Sequence, residues 1–179
     1  MLFRSQGGWF YRNPRGKYAS KIKERISLNV VADKRLLDEL DNLLLNGEYI
    51  NRNGQKVKVK IPKDSYYKTD DLQGWTQRHD PITMYFSDNV SQELVDAIAE
   101  ISRKYARTSA NAKPLYNAVS GKPWIAVDKE PTSSDFKKLY KEALTLNKNL
   151  AEAIKEKVGS DWFGSAGAYA SCKDRKSVV

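Results

Sequence analysis

The chain has 179 residues, enough for one ordinary domain with a hydrophobic core. Hydrophobic residues make up 40% and charged residues 30%, a balance that argues against disorder, and no apolar run is long enough for a transmembrane helix. Lys and Arg number 31 against 22 Asp and Glu, and the net charge of +9 either favours anionic partners (nucleic acid, phosphoproteins, nucleotides, acidic lipid) or serves solubility alone. The single cysteine, Cys172, excludes an internal disulfide and, with His79 the lone histidine, a cysteine-based metal site, so no metal is expected. The start, Met1 to Gly8, lacks the apolar core of a cleaved signal peptide, which argues against Sec-type export but not against a specialised export system.

Residues 1–20 carry the breakers Gly7-Gly8, Asn13-Pro14 and Arg15-Gly16 and read as an irregular segment, with Trp9, Phe10 and Tyr11 packing somewhere. A first strand is expected over about 23–31, because Ile26, Leu28 and Val30 alternate with Arg25, Ser27 and Asn29. That pattern describes a half-buried strand whose second face is polar and cationic. Asp33 then caps a helix with a stripe of Leu36, Leu37, Leu40, Leu43 and Leu44, and Gly47 ends it. Lys56 to Ile61 alternates again, and the turn Asn51-Arg52-Asn53-Gly54 lets Tyr49-Ile50 pair back as a hairpin. Its three lysines share one face, either as edge protection or as a phosphate-binding surface.

After Pro62, the run Tyr66 to Asp71 leads into a loop, and Ile82-Thr83-Met84-Tyr85-Phe86 follows as a strand. A second amphipathic helix starts near Ser91 and buries Leu94, Ile98, Ile101 and Tyr105. Residues 107–122 are turn-rich, and Trp124 to Val127 is a short apolar strand. Ser133-Ser134 caps a helix with Phe136, Leu139, Tyr140, Ala143 and Leu144, and a shorter helix is expected near 149–158. Strands and helices intermingle without a βαβ rhythm. The expected fold is a single α+β domain over residues 21–179, a mixed or antiparallel sheet with amphipathic helices packed on it.

Cationic side chains gather near strand ends: Lys23, Arg25, Lys68, Arg78 and, from the tail, Lys173 or Arg175. Arginine grips phosphate through a planar fork, whereas lysine is a compact charge that becomes a base when its pKa is lowered. Tyr85 and His79 are able to donate or shuttle protons. The inventory suits a phosphorylated or nucleotide substrate. Scattered surface charge is the alternative in so basic a chain.

The order of these features resembles the phosphothreonine lyases, bacterial type III secretion effectors that inactivate host MAP kinases. The likeness rests on Lys23-Glu24-Arg25-Ile26-Ser27, the helix from Leu36 to Leu44, Tyr67-Lys68-Thr69-Asp70, Arg78, Thr83-Met84-Tyr85-Phe86, the helix from Ser91, and Ser171-Cys172-Lys173. It covers roughly residues 20–107 plus the tail. The resemblance implies a secreted virulence effector acting in the host cytosol (a cytoplasmic protein otherwise) on a host phosphoprotein such as a MAP kinase, without a cofactor. It implies Lys68 as the base that takes the α-proton of phosphothreonine, Tyr85 as the family tyrosine, Arg78 as one phosphate clamp and Lys173 in place of a second. The position of the family's acid histidine is held by Arg25, which cannot donate a proton. His79 substitutes only if the fold brings it beside Lys68.

A different enzyme class is also consistent with the residues. An ADP-ribosyltransferase-like effector would use NAD, held by Arg25 on a first strand and by a Ser-rich strand start at Thr132-Ser133-Ser134, with Trp124 and Glu130 nearby. The usual Glu-x-Glu or Gln-x-Glu pair is absent. A third reading is a non-enzymatic binder of polyanions or acidic protein. Nucleic acid is not favoured, because no helix concentrates the basic residues.

Overall fold

A computed structural model describes residues 3–6, 9–16, 21–31, 33–70, 80–107, 115, 117–149 and 151–152. The chain divides into two compact units, Met1–Lys129 and Glu130–Val179. The first contains strands β1 (Phe3–Gln6), β2 (Trp9–Arg12), β3 (Glu24–Leu28), β4 (Glu48–Ile50), β5 (Lys56–Lys58), β6 (Tyr66–Asp70), β7 (Ile82–Phe86), β8 (Ala118–Val119) and β9 (Lys122–Lys129), with helices α1 (Lys34–Asn46) and α2 (Gln92–Arg103). The second contains helix α3 (Ser133–Leu146). The α+β class expected from the sequence is the class observed.

Seven strands form one sheet in the order β1-β2-β6-β7-β3-β9-β8, and every pairing in it is antiparallel. β3 lies inside this sheet, with β7 on one side and β9 on the other. Its Ile26 stands opposite Met84 and Val127, and its Leu28 opposite Ile82 and Ile125. These side chains share one face and pack with the leucines of α1 and with Leu94, Ile98 and Ile101 of α2 in a single core. The helices take that face because their apolar positions recur at helical spacing.

α1 begins where Asp33 accepts the Arg35 backbone N–H and ends where Gly47 turns left-handed at φ 66. A Cβ on Gly47 would stand 2.7 Å from the Val59 carbonyl oxygen, so the position needs glycine for space as well as for φ. The same closeness ties the helix to the hairpin, since Val59 N donates to Gly47 O. That hairpin, β4 with β5, is the one expected around Asn51 to Gly54.

Residues 3–6 and 9–12 correct the expectation of an irregular N-terminal segment, because they are the outer strands β1 and β2. The aromatic run Trp9-Phe10-Tyr11 favours extended pairing and finds it on β6. The flanking glycines and prolines masked that signal. The turn-rich stretch 107–122 likewise contains β8. In the second unit the cap of α3 is Thr132, one residue earlier than expected, in a reciprocal capping box with Asp135. Among the described residues no helix is long and apolar enough to cross a membrane.

Candidate functional site

The second face of the large sheet gathers several of the candidate residues. Side chains alternate along a strand, so residues directly opposite across a pair share a face. Arg25 stands opposite Tyr85 on β7 and opposite Asp128 on β9. Tyr85 stands opposite Tyr66 on β6, Lys68 opposite both Thr83 and Tyr11, and Ser27 opposite Thr83. Arg25, Ser27, Thr83, Tyr85, Tyr66, Lys68 and Tyr11 therefore form one polar and aromatic surface spanning β3, β7, β6 and β2. The Tyr66 and Tyr85 rings stack with centroids 5.1 Å apart, and Tyr11 meets Tyr66 at 6.4 Å. Lys68 Nζ lies 5.7 Å from the centroid of the Tyr85 ring, a cation–π contact that sets the amine on this surface.

Arg25 is the unusual member. It is 8% exposed, and its Nε has no hydrogen-bond partner among the described residues. The first strand was expected to be half-buried with a polar, cationic second face, but Arg25, Ser27 and Asn29 on that face are buried as well. A buried cation is costly unless an acceptor meets it, because burial removes the water that would otherwise solvate the charge. Among the described residues the opposite carboxylate, Asp128, does not supply that acceptor. Its Oδ1 instead accepts from Asn117 Nδ2 at 2.8 Å.

The expected site residues fall into three groups. Arg25, Lys68 and Tyr85 come together on the polar face, with Arg25 and Lys68 two strands apart and two residues out of register, roughly 12 Å at the usual strand and residue spacings. Lys68 sits within β6, a strand that ends two residues later at Asp70. Lys23 precedes β3 at the rim and forms an exposed ion pair with Asp88 at 3.4 Å. Neighbouring Asn89 N–H, then Lys23, hold the Asp88 carboxyl below its ordinary range. Arg78, His79, Lys173 and Arg175 lie outside the described residues.

Sequence reasoning missed Tyr66, Tyr11, Thr83 and Asp128. The period of two would have found Tyr66, two residues before Lys68, but assigning Tyr11 and Asp128 to this face needs the strand order. The strand start expected at Thr132-Ser133-Ser134 is corrected, since Ser133 begins α3 and Thr132 caps it. Trp124 donates its Nε1–H to Ser102 Oγ of α2 at 3.0 Å, a structural tie. Among the described residues no group of three or more His, Cys, Asp or Glu is placed to hold a metal ion.

No family model, curated protein or solved structure matches the chain.

Proposed function

We propose that the polar face of the sheet binds a phosphate ester and that the protein is a phosphothreonine lyase, releasing phosphate from a phosphoprotein by β-elimination. The observation that carries this reading is Arg25, buried with no hydrogen-bond partner at Nε among the described residues. A guanidinium is matched to phosphate oxygens by its planar fork, and a dianionic ester supplies the acceptors this one lacks.

The chemistry follows from the neighbours. Lys68, as the neutral amine, takes the proton from the α-carbon of phosphothreonine. The C–H electron pair becomes the double bond to the β-carbon, and the bond from that carbon to the phosphate oxygen breaks. Phosphate leaves with the bonding pair, its charge held by Arg25, and takes its proton from the Tyr85 hydroxyl. The product is a dehydrated residue and inorganic phosphate. Arg25 is an electrostatic clamp in this scheme, since a guanidinium does not give up a proton in this pH range. A host phosphoprotein such as a MAP kinase is the substrate, and delivery as a secreted effector belongs to the same proposal.

The test is mass spectrometry of a phosphothreonine peptide after incubation with the wild type, Lys68→Ala and Arg25→Met. Loss of phosphoric acid in the wild type and its abolition in Lys68→Ala is the expected result. Unchanged peptide with the wild type, or turnover that survives Lys68→Ala, overturns the lyase assignment.

A further inference from the structure

Arg25 and Asp128 face each other across β3 and β9. Side chains paired this way start about 5 Å apart at Cβ, well within reach of a guanidinium and a carboxylate. Opposite charges so placed ordinarily close into an ion pair. Here they do not: among the described residues Arg25 Nε has no partner, and Asp128 Oδ1 is taken by the Asn117 amide at 2.8 Å. Asn117 occupies the left-handed region at φ 57, a conformation that asparagine tolerates better than most residues. It directly precedes β8, whose pairing with β9 shifts register between Ala118 and Val119. An irregular turn thus presents one amide to the carboxylate that would otherwise neutralise Arg25.

We propose that Asn117 is a positioning residue whose amide holds Asp128 away from Arg25 and keeps the guanidinium open to phosphate. This rests on the phosphate reading of the polar face. Without the amide, the Asp128 carboxylate competes with the ligand for the same N–H donors, and the anion seat closes on an internal ion pair. The carboxylate also repels a phosphate while it remains charged, so Asn117 and Asp128 have opposing effects on affinity.

The experiment is calorimetric titration of inorganic phosphate into the wild type, Arg25→Met, Asn117→Gly, Asp128→Asn and Asn117→Gly/Asp128→Asn. Glycine preserves the left-handed backbone at 117 and removes only the amide. Binding should weaken roughly tenfold or more in Asn117→Gly, the scale of a hydrogen bond to a charged group. It should tighten in Asp128→Asn, and the double variant should bind like Asp128→Asn, because with no carboxylate present the amide has nothing to restrain. Asn117→Gly affinity equal to that of the wild type, or a double variant as weak as Asn117→Gly, overturns the proposal while leaving the phosphate site standing. A wild type that binds no phosphate, or an Arg25→Met variant that binds as well, removes the site and the proposal together. If Asn117→Gly does not fold, Asp128→Asn alone decides, and binding no tighter than wild type overturns the proposal.

Discussion

Two arginines are buried in the same sheet, and they have been given opposite surroundings. Arg12 on β2 is 4% exposed and fully engaged: its Nη2 forms an ion pair with Asp41 of α1, and its Nε donates to Asp41 Oδ1 at 3.2 Å. The Tyr67 hydroxyl donates to the same carboxylate oxygen at 2.6 Å. Burial is the largest single influence and works against the charged guanidinium, but the hydrogen bond to Asp41 and the electrostatic influence of Tyr67, Asp41 and Asp38 together outweigh it and raise the Arg12 pKa. Burial, reinforced by Asp41, drives the Tyr67 phenol well above its ordinary value and keeps it a neutral donor. Arg25 on β3 has comparable burial, and its Nε is unmet among the described residues. The first arginine joins β2, β6 and α1. The second leaves a buried donor unmatched among the described residues, the feature on which the proposed phosphate site rests.

The comparison is broken most forcefully at Arg12. Arg12→Met leaves the Asp41 carboxylate buried beside a neutral phenol, and the expected cost is about 3–5 kcal/mol. A urea melt of the two proteins measures it, and a loss below about 1 kcal/mol would mean that the network does not hold the sheet to the helix. Gly47→Ala gives the scale of a backbone fault at the far end of α1. The added Cβ meets the Val59 carbonyl oxygen at φ 66, and about 1–3 kcal/mol should be lost in the same assay.

Arg25→Met reverses the sign. Removing an unpaired buried charge should leave stability unchanged or raise it by about 1 kcal/mol while phosphate binding disappears. A destabilisation as large as that of Arg12→Met would show Arg25 to be structural.

The smallest effect belongs to an exposed arginine, Arg52, which forms a two-pronged pair with Glu100 at 2.8 and 3.0 Å. Its hydrogen bond holds the Glu100 carboxyl below the ordinary glutamate value. A carboxyl lowered in the folded state contributes stability above its unfolded pKa and loses that contribution as pH falls through the folded value. Arg52→Gln should therefore lower the melting temperature slightly at neutral pH and not at all in strong acid. Melting curves across the acid range check this, and a difference that persists at the acid end would contradict it.

Local pattern made the elements legible, whereas the site depended on strand order. The alternation of Ile26, Leu28 and Val30 located β3, Asp33 and Gly47 bounded α1, and the leucine stripe gave its buried face, because each is a signal carried within a few residues. Arg25, Lys68 and Tyr85 were legible as candidates by residue type and by family resemblance. That they share a face follows from β6, β7 and β3 being neighbours, a long-range property. β1 and β2 were hidden because Gly and Pro read as breakers while the aromatic run between them found its pairing partner far along the chain, on β6. Asp41 was not singled out, since nothing near it in sequence announces Arg12, 29 residues away. The contact of the Asn117 amide with Asp128 was illegible for the same reason, since it is made across the β8–β9 pairing.

The most direct test of the phosphate seat is a crystal structure of the wild-type protein grown or soaked with inorganic phosphate. The expected result is a phosphate on the polar face, its oxygens within hydrogen-bond distance of the Arg25 guanidinium, with Asp128 still held by Asn117. An Arg25 side chain bonded to a protein carboxylate or carbonyl, with phosphate absent or confined to the surface lysines Lys56, Lys58 and Lys60, would contradict it.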